Sequence, residues 1–492
     1  MTMTLALWLV LIIPVAATVL ILMSAGKPNQ REAVTILSAL ALFANVLWIT
    51  GEVLSGTPGE ITFLTMLPGL DIAFRIEPLG LLFGLVASGL WIINSLYSIG
   101  YMRGNREKHQ TRFYACFPIA IGGALGIAYS ANLATMFLFY EVLTLSTWPL
   151  VAHKQNEDAK AGARVYLGVL IATSIGLFLP AIIWTWTLAG TVDFRLGGIL
   201  AGHVEGVALI ALLALFMFGI GKAALMPMHR WLPSAMVAPT PVSALLHAVA
   251  VVKAGVFSVL KVMVYIFGTD FMAETGASEW LVYAAAGSLT LASLIAMRKD
   301  NLKARLAYST VSQLSYVTLG AALATSLGVV GAALQIAMHA MGKITLFFGA
   351  GAIYTAHHKT EISEMDGLGR RMPFTYGAML IGALSIIGLP PLGGVWAKWY
   401  LMSGAVDAQM LWVAGILMLS SLLNVAYLLP IIARGFFKPA KELPGSAPKG
   451  EGLAEAPAFC VVPLCLTALG CVVLFFMAGD IIDLIAPIAG MQ

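Results

Sequence analysis

Residues 219–227 read Gly-Ile-Gly-Lys-Ala-Ala-Leu-Met-Pro, and residues 388–398 read Gly-Leu-Pro-Pro-Leu-Gly-Gly-Val-Trp-Ala-Lys. Both stretches lie inside long apolar runs, and each sets a lysine within two turns of a proline break. Proline removes a helix hydrogen bond, and the carbonyl it frees must face protein or water. A lysine and a broken helix in the same apolar run are both unfavourable in lipid. Their occurrence twice suggests membrane spans folded around a polar interior.

The composition agrees. Apolar residues make up 60% of the 492 residues, and charged residues only 11%, against about 25% in a soluble domain. Mean hydropathy is +0.90. Such a chain has too little polar surface to cover a globule in water. At roughly 20 residues per span it holds about fourteen helices, centred near 14, 43, 89, 121, 142, 176, 218, 254, 288, 315, 341, 390, 423 and 472. The runs are continuous, whereas a β-barrel would show short alternating strands. The expected fold is an all-α polytopic membrane protein.

The first run, Met1 to Met23, lacks a basic leading region, and its cations, Lys27 and Arg31, come after it. It reads as a retained first span rather than a signal peptide. The four cysteines, Cys116, Cys460, Cys465 and Cys471, lie in apolar stretches with no Cys-x-x-Cys pair. They read as buried small residues, so no disulfide framework, metal site or cofactor is expected.

Charge placement sets the orientation. Of the 28 cationic residues, five lysines fall inside spans, and Arg75 and Arg195 fall in loops after even-numbered helices. The remaining 21, from Lys27 through Arg106, Lys160, Lys299 and Lys303 to Lys441 and Lys449, follow odd-numbered helices. By the positive-inside rule those loops face the cytoplasm, which puts both termini outside an inner (cell) membrane.

The two breaks are five helices apart, and an odd offset turns the second unit upside down. Helices 4–8 (residues 111–268) and 9–13 (residues 279–438) therefore read as inverted repeats. Helices 1–3 (residues 1–110) and helix 14 (residues 456–492) flank them. Breaks at matching positions of two inverted halves point to a transport site.

The five lysines inside spans are Lys222, Lys253, Lys261, Lys343 and Lys398, and Glu141 is the acid at mid-span. His247 and His339 are buried with them. A charge at the bilayer centre costs roughly 2.5–3.5 kcal/mol on insertion scales. Desolvation favours a neutral amine and a nearby carboxylate favours a charged one. A lysine whose partner comes and goes therefore loads and releases a proton. The plainer readings are that Lys261 snorkels to the outer interface and that the histidines bond to a neighbouring helix. Gly342-Lys343-Ile344-Thr345 has the look of a phosphate-loop tail, but Ala337 stands at the first glycine position, and lipid surrounds it.

The run from Met228 to Ala248, including Ala235-Met236-Val237-Ala238-Pro239-Thr240-Pro241-Val242, resembles the signature of antiporter-like proton-pumping subunits. So do Val252-Lys253-Ala254-Gly255-Val256-Phe257 and Arg305 to Gln313. That family includes the M-, N- and L-type subunits of respiratory complex I, the large subunits of Mrp sodium/proton antiporters, and subunits of membrane-bound hydrogenases. The resemblance implies that Glu141, Lys222, Lys253, His339, Lys343 and Lys398 carry protons, with His247 beside them. It also implies partners: other membrane subunits, protons, possible sodium coupling and the lipid bilayer, with no nucleic acid. Lys398 stands where the M-type has a glutamate, and the run around Pro239 most resembles the Mrp D-type. Redox chemistry, if any, would belong to a partner.

Overall fold

The computed structural model describes residues 1–67, 69–439 and 452–491. Lys441 and Lys449, counted above with the basic loops, lie outside the described residues. The molecule is nearly all helical. We label the long helices α1 (Met3–Met23), α2 (Pro28–Leu54), α3 (Pro78–Gly104), α4 (Gln110–Tyr129), α5 (Leu133–Val151), α6 (Glu157–Ala189), α7 (Gly206–Gly219) and α8 (Thr240–Phe267). There follow α9 (Glu279–Arg298), α10 (Leu302–Ala322), α11 (Ser326–His357), α12 in two halves (Pro373–Ile387 and Gly394–Asp407), α13 (Leu411–Phe437) and α14 (Ala458–Phe476). Among the described residues, 11 helices are long and apolar enough to cross a membrane. Gly206–Gly219 and Pro373–Ile387 are apolar but shorter, because each stops at a break.

Local chemistry sets the starts. The side chains of Asn132, Asn156, Asn301 and Thr325 accept from backbone N–H groups three residues on, opening α5, α6, α10 and α11. Such caps satisfy donors that a helix leaves orphaned. Pro28 and Pro78 open α2 and α3, where a missing N–H does no harm. One feature was not expected from the apolar runs: Glu60–Leu67 (β1) and Leu70–Arg75 (β2) pair as an antiparallel hairpin ahead of α3. Its alternation is too short and too mixed to stand out in a sequence dominated by helical runs.

The helices sort by burial. α8 is enclosed along its apolar length, and α11 nearly so, whereas α1, α2 and α14 bury about a third of theirs and turn leucines and valines to lipid. α11 packs against α3, α8, α10, α12 and α14. The polar residues of α8 and α11 therefore have no lipid-facing option.

Contacts between loops place the cations. Arg31 donates to Gln110 and Thr111, Arg112 to the His153 carbonyl, Lys303 to the Ala238 carbonyl, and Arg434 to Asp366. Each joins loops or helix ends that follow odd-numbered helices, so those loops share one basic face. On the opposite face the hairpin meets the α4–α5 turn through Ala131 N to Ala73 O. Arg75 there donates to the Phe194 carbonyl.

Reporter fusions after Arg106, Lys160 and Lys299 should therefore read cytoplasmic, and fusions after Asp71 or Glu274 external. Mixed readings within either set would overturn the single basic face.

Candidate functional site

The two breaks differ in how they hold their lysines. α7 ends at Gly219, and Lys222 sits in the tight turn Gly221–Ala223 that follows. Its Nζ donates to Tyr140 O at 2.9 Å and Thr144 Oγ1 at 2.6 Å, both on α5. It also lies 3.1 Å from the centroid of the Tyr140 ring, a cation–π arrangement. The Gly221 carbonyl freed by the break accepts from Trp231 Nε1 at 2.9 Å. Past Lys222 and Pro227 only the short helical segments Trp231–Ser234 and Ala235–Val237 follow before α8.

Lys398 instead follows its prolines, on the second half of α12. Its Nζ donates to Ile387 O at 2.7 Å, the last carbonyl of the first half, and to Ser421 Oγ at 2.8 Å on α13. A cation at a helix C-terminus satisfies an orphan carbonyl and complements the dipole. Gly388, with φ of 90°, makes the turn possible. A Cβ there would meet Lys398 Cδ at 2.8 Å.

Between the breaks runs a row of buried polar side chains, hydrogen-bonded in separate segments. Lys253 Nζ on α8 lies 2.5 Å from His339 Nδ1 on α11. One turn along α11, Lys343 Nζ donates to Ser309 Oγ at 2.6 Å and to Leu306 O at 3.3 Å on α10. Ser309 Oγ bonds to Tyr427 OH on α13 at 2.8 Å, and Tyr427 bonds to Asn424. Asn424 and Ser421 are three residues apart on α13, which makes them neighbours on one face. The segment that ends at Asn424 therefore lies one turn from Ser421, the partner of Lys398. Lys222 joins from the other side: a Cβ at Gly255 would overlap the Lys222 carbonyl and Ala223 nitrogen. α8 therefore crosses the first break two residues past Lys253.

The remaining expected residues are placed as follows. His247 lies in a π-helical segment of α8, Leu245–Val249, with its ring 4.6 Å from that of Phe347. Neither of its ring nitrogens has a hydrogen-bond partner among the described residues. The Glu141 carboxylate oxygens are buried and also have no hydrogen-bond partner there. The Lys222 ammonium takes Tyr140 O and Thr144 Oγ1 rather than this carboxylate. Lys261 does not snorkel. It is fully buried, 3.1 Å from Glu77 Oε2 and 2.7 Å from Ser130 O, with the Phe194 ring 4.4 Å away.

Sequence reasoning missed Thr144, Ser309, Ser421, Asn424, Tyr427 and Glu77. Only Ser309 had a signal, as part of the run from Arg305. The others are single polar residues in apolar runs, and nothing in one sequence says which of these converge.

The NADH:quinone oxidoreductase/Mrp antiporter transmembrane family matches residues 130–424, which includes every residue of the row except Tyr427. NADH-quinone oxidoreductase subunit N of Desulforudis audaxviator is 29% identical over 490 residues, covering 96% of each chain. Hydrogenase-4 component B of Escherichia coli is 33% identical over 67% of this chain, an alignment that spans 50% of that protein. A chain of the Mrp complex from Dietzia sp. DQ12-45-1b superposes with a TM-score of 0.87 at 21% identity, covering 99% of this chain and 97% of its own.

Gly255→Leu should force α8 away from the first break and destabilise the protein by about 1–3 kcal/mol, as overpacking does. The thermal midpoint of the purified protein measures it. An unchanged midpoint would mean that α8 and the break are not in close contact.

Proposed function

Because this chain belongs to the NADH:quinone oxidoreductase/Mrp antiporter transmembrane family, we propose that it translocates protons within a multisubunit monovalent cation/proton antiporter of the Mrp type. The observation that carries this reading is the row from Lys253 through His339, Lys343, Ser309, Tyr427 and Asn424 toward Ser421 and Lys398. Amine, imidazole and hydroxyl groups each both accept and donate a proton. A row of them supports hopping across a region where a free charge is expensive. Helices 4–8 and 9–13 act as the two inverted half-channels, and the basic face is the cytoplasmic one.

Lys222 and Glu141 form the switch in this scheme. With the carboxylate near, Lys222 stays charged on Tyr140 and Thr144. When the pair separates, its proton passes across the α8 contact toward Lys253. Lys398 is the gate at the far end: it holds a proton on the Ile387 carbonyl until an external path opens. The other subunits of the assembly supply the cation path and the coupling.

The relative from Desulforudis audaxviator, matched over 96% of both chains, supports a second reading. There the same proton route is driven by electron transfer in a complex I-like quinone oxidoreductase or membrane-bound hydrogenase. Purification of the native complex separates the two. Co-purifying small membrane subunits with sodium-dependent proton exchange favour the first. Co-purifying iron–sulfur or nickel subunits sink it in favour of the second.

Lys398→Ala should abolish coupled transport in proteoliposomes while leaving assembly near normal. Lys398→Arg should fail too, because arginine does not give up its proton in proteins. Wild-type rates in the arginine variant would rule out proton cycling at Lys398.

Glu141→Ala should also abolish transport, normalised to assembled complex, while Glu141→Asp keeps part of it because the charge survives on a shorter arm. Near wild-type transport by the alanine variant would remove Glu141 from the switch.

A further inference from the structure

The row has an interior but needs an intake. On the basic face, a cavity of about 240 Å³ is lined by Tyr101, Lys154, Asn156, Lys303 and Tyr354. A second cavity of about 530 Å³ adjoins it, sharing Lys154 and Asn156 and adding Glu107 and His153. Each water molecule takes about 30 Å³ of liquid, so both have room for several. Burial raises the Glu107 carboxyl above its ordinary value, against the pull of Lys154 and Lys303. Burial and the charge of Arg112 push His153 down to about 4, so it stands neutral beside Glu107 at pH 7.

Lys303 and Ala238 both line the smaller cavity, which also carries Asp158. Lys303 Nζ donates to Ala238 O at 2.5 Å. Ala238 lies two residues before α8, which carries His247 two turns further in. Lys303 itself lies on α10, three residues before Leu306 and six before Ser309, the two groups that hold Lys343. At 1.5 Å of rise per residue, six residues span about 9 Å. Lys303 thus lines the cavity, stands on α10 and bonds to the chain two residues before α8. The family resemblance did not assign it a role, and on sequence it counted only as one more loop cation.

We propose that these two cavities form the intake vestibule of the proton route, and that Lys303 passes protons from it to His247 and Lys343. This rests on the proton-translocating reading above. In each cycle a neutral Lys303 Nζ takes one proton from a hydronium ion in the vestibule, which is left as water. It then gives one proton to a neutral His247 nitrogen or Lys343 amine, and returns to neutral. No other atom changes hands.

Three measurements on the assembled complex test it. Lys303→Arg keeps the charge and the bond to Ala238 but not the release, so coupled transport should fall at least tenfold. Lys303→Cys, in a background with Cys116, Cys460, Cys465 and Cys471 replaced by serine or alanine, should react with a membrane-impermeant thiol reagent from the basic face alone. Adding 2-aminoethyl methanethiosulfonate to that cysteine restores an amine and should restore transport. Wild-type transport in Lys303→Arg, or labelling from the opposite face or from neither, overturns the intake. Lys343→Ala distinguishes the failures. If it transports normally, the proton route itself is wrong. If it fails while Lys303→Arg works, only the intake is.

Discussion

The hydrocarbon interior offers no water, so a charged or polar group inside it must be satisfied by the protein itself. Five lysines enter this interior, and the structure gives each of them acceptors drawn from other helices or from a broken one. A charge at mid-bilayer costs about 2.5–3.5 kcal/mol, and a hydrogen bond to a charged group contributes about 1.5–3 kcal/mol. Two acceptors therefore roughly offset one lysine. Lys222, Lys343 and Lys398 each have two. Helix breaks serve this requirement directly: they release the backbone carbonyls that lysines need. The Ile387 carbonyl under Lys398 is the plainest case.

The same requirement explains the packing. An acceptor is useful only if its helix stands beside the lysine, so α8, α10, α11 and α13 gather around one polar row. α8 and α11 are the most enclosed helices because they carry Lys253, His339 and Lys343. Gly255 lets α8 touch the Lys222 turn with backbone against backbone. A displacement of that turn is transmitted to α8 without a flexible side chain between them.

Two buried acids show opposite solutions. Glu77 is locked against Lys261 at 3.1 Å, under the hairpin side of the molecule. Glu141 has its oxygens buried without a hydrogen bond among the described residues, while the nearby Lys222 is held elsewhere. A locked pair holds helices together. The Glu141 carboxylate has no such partner and ties no two helices together.

Much was legible in the sequence because membrane insertion is a local rule. Apolar run length, loop charge and proline position each act over about 20 residues, so the helices, the shared basic face and the lysines inside the spans could be read one segment at a time. What the chain could not state is which polar atoms meet. Ser309 and Tyr427 are 118 residues apart, Lys253 and His339 are 86 apart, and neither separation has a period. Lys261 read alone is a candidate for snorkelling, and only the fold brings Glu77 to it. Glu141 reads as the acid at mid-span, yet the Lys222 ammonium bonds to Tyr140 O and Thr144 Oγ1 on that same helix. The sequence by itself determined which groups must be buried. Tertiary packing decided their partners, because hydrogen bonds form over about 3 Å and depend on which helix faces adjoin.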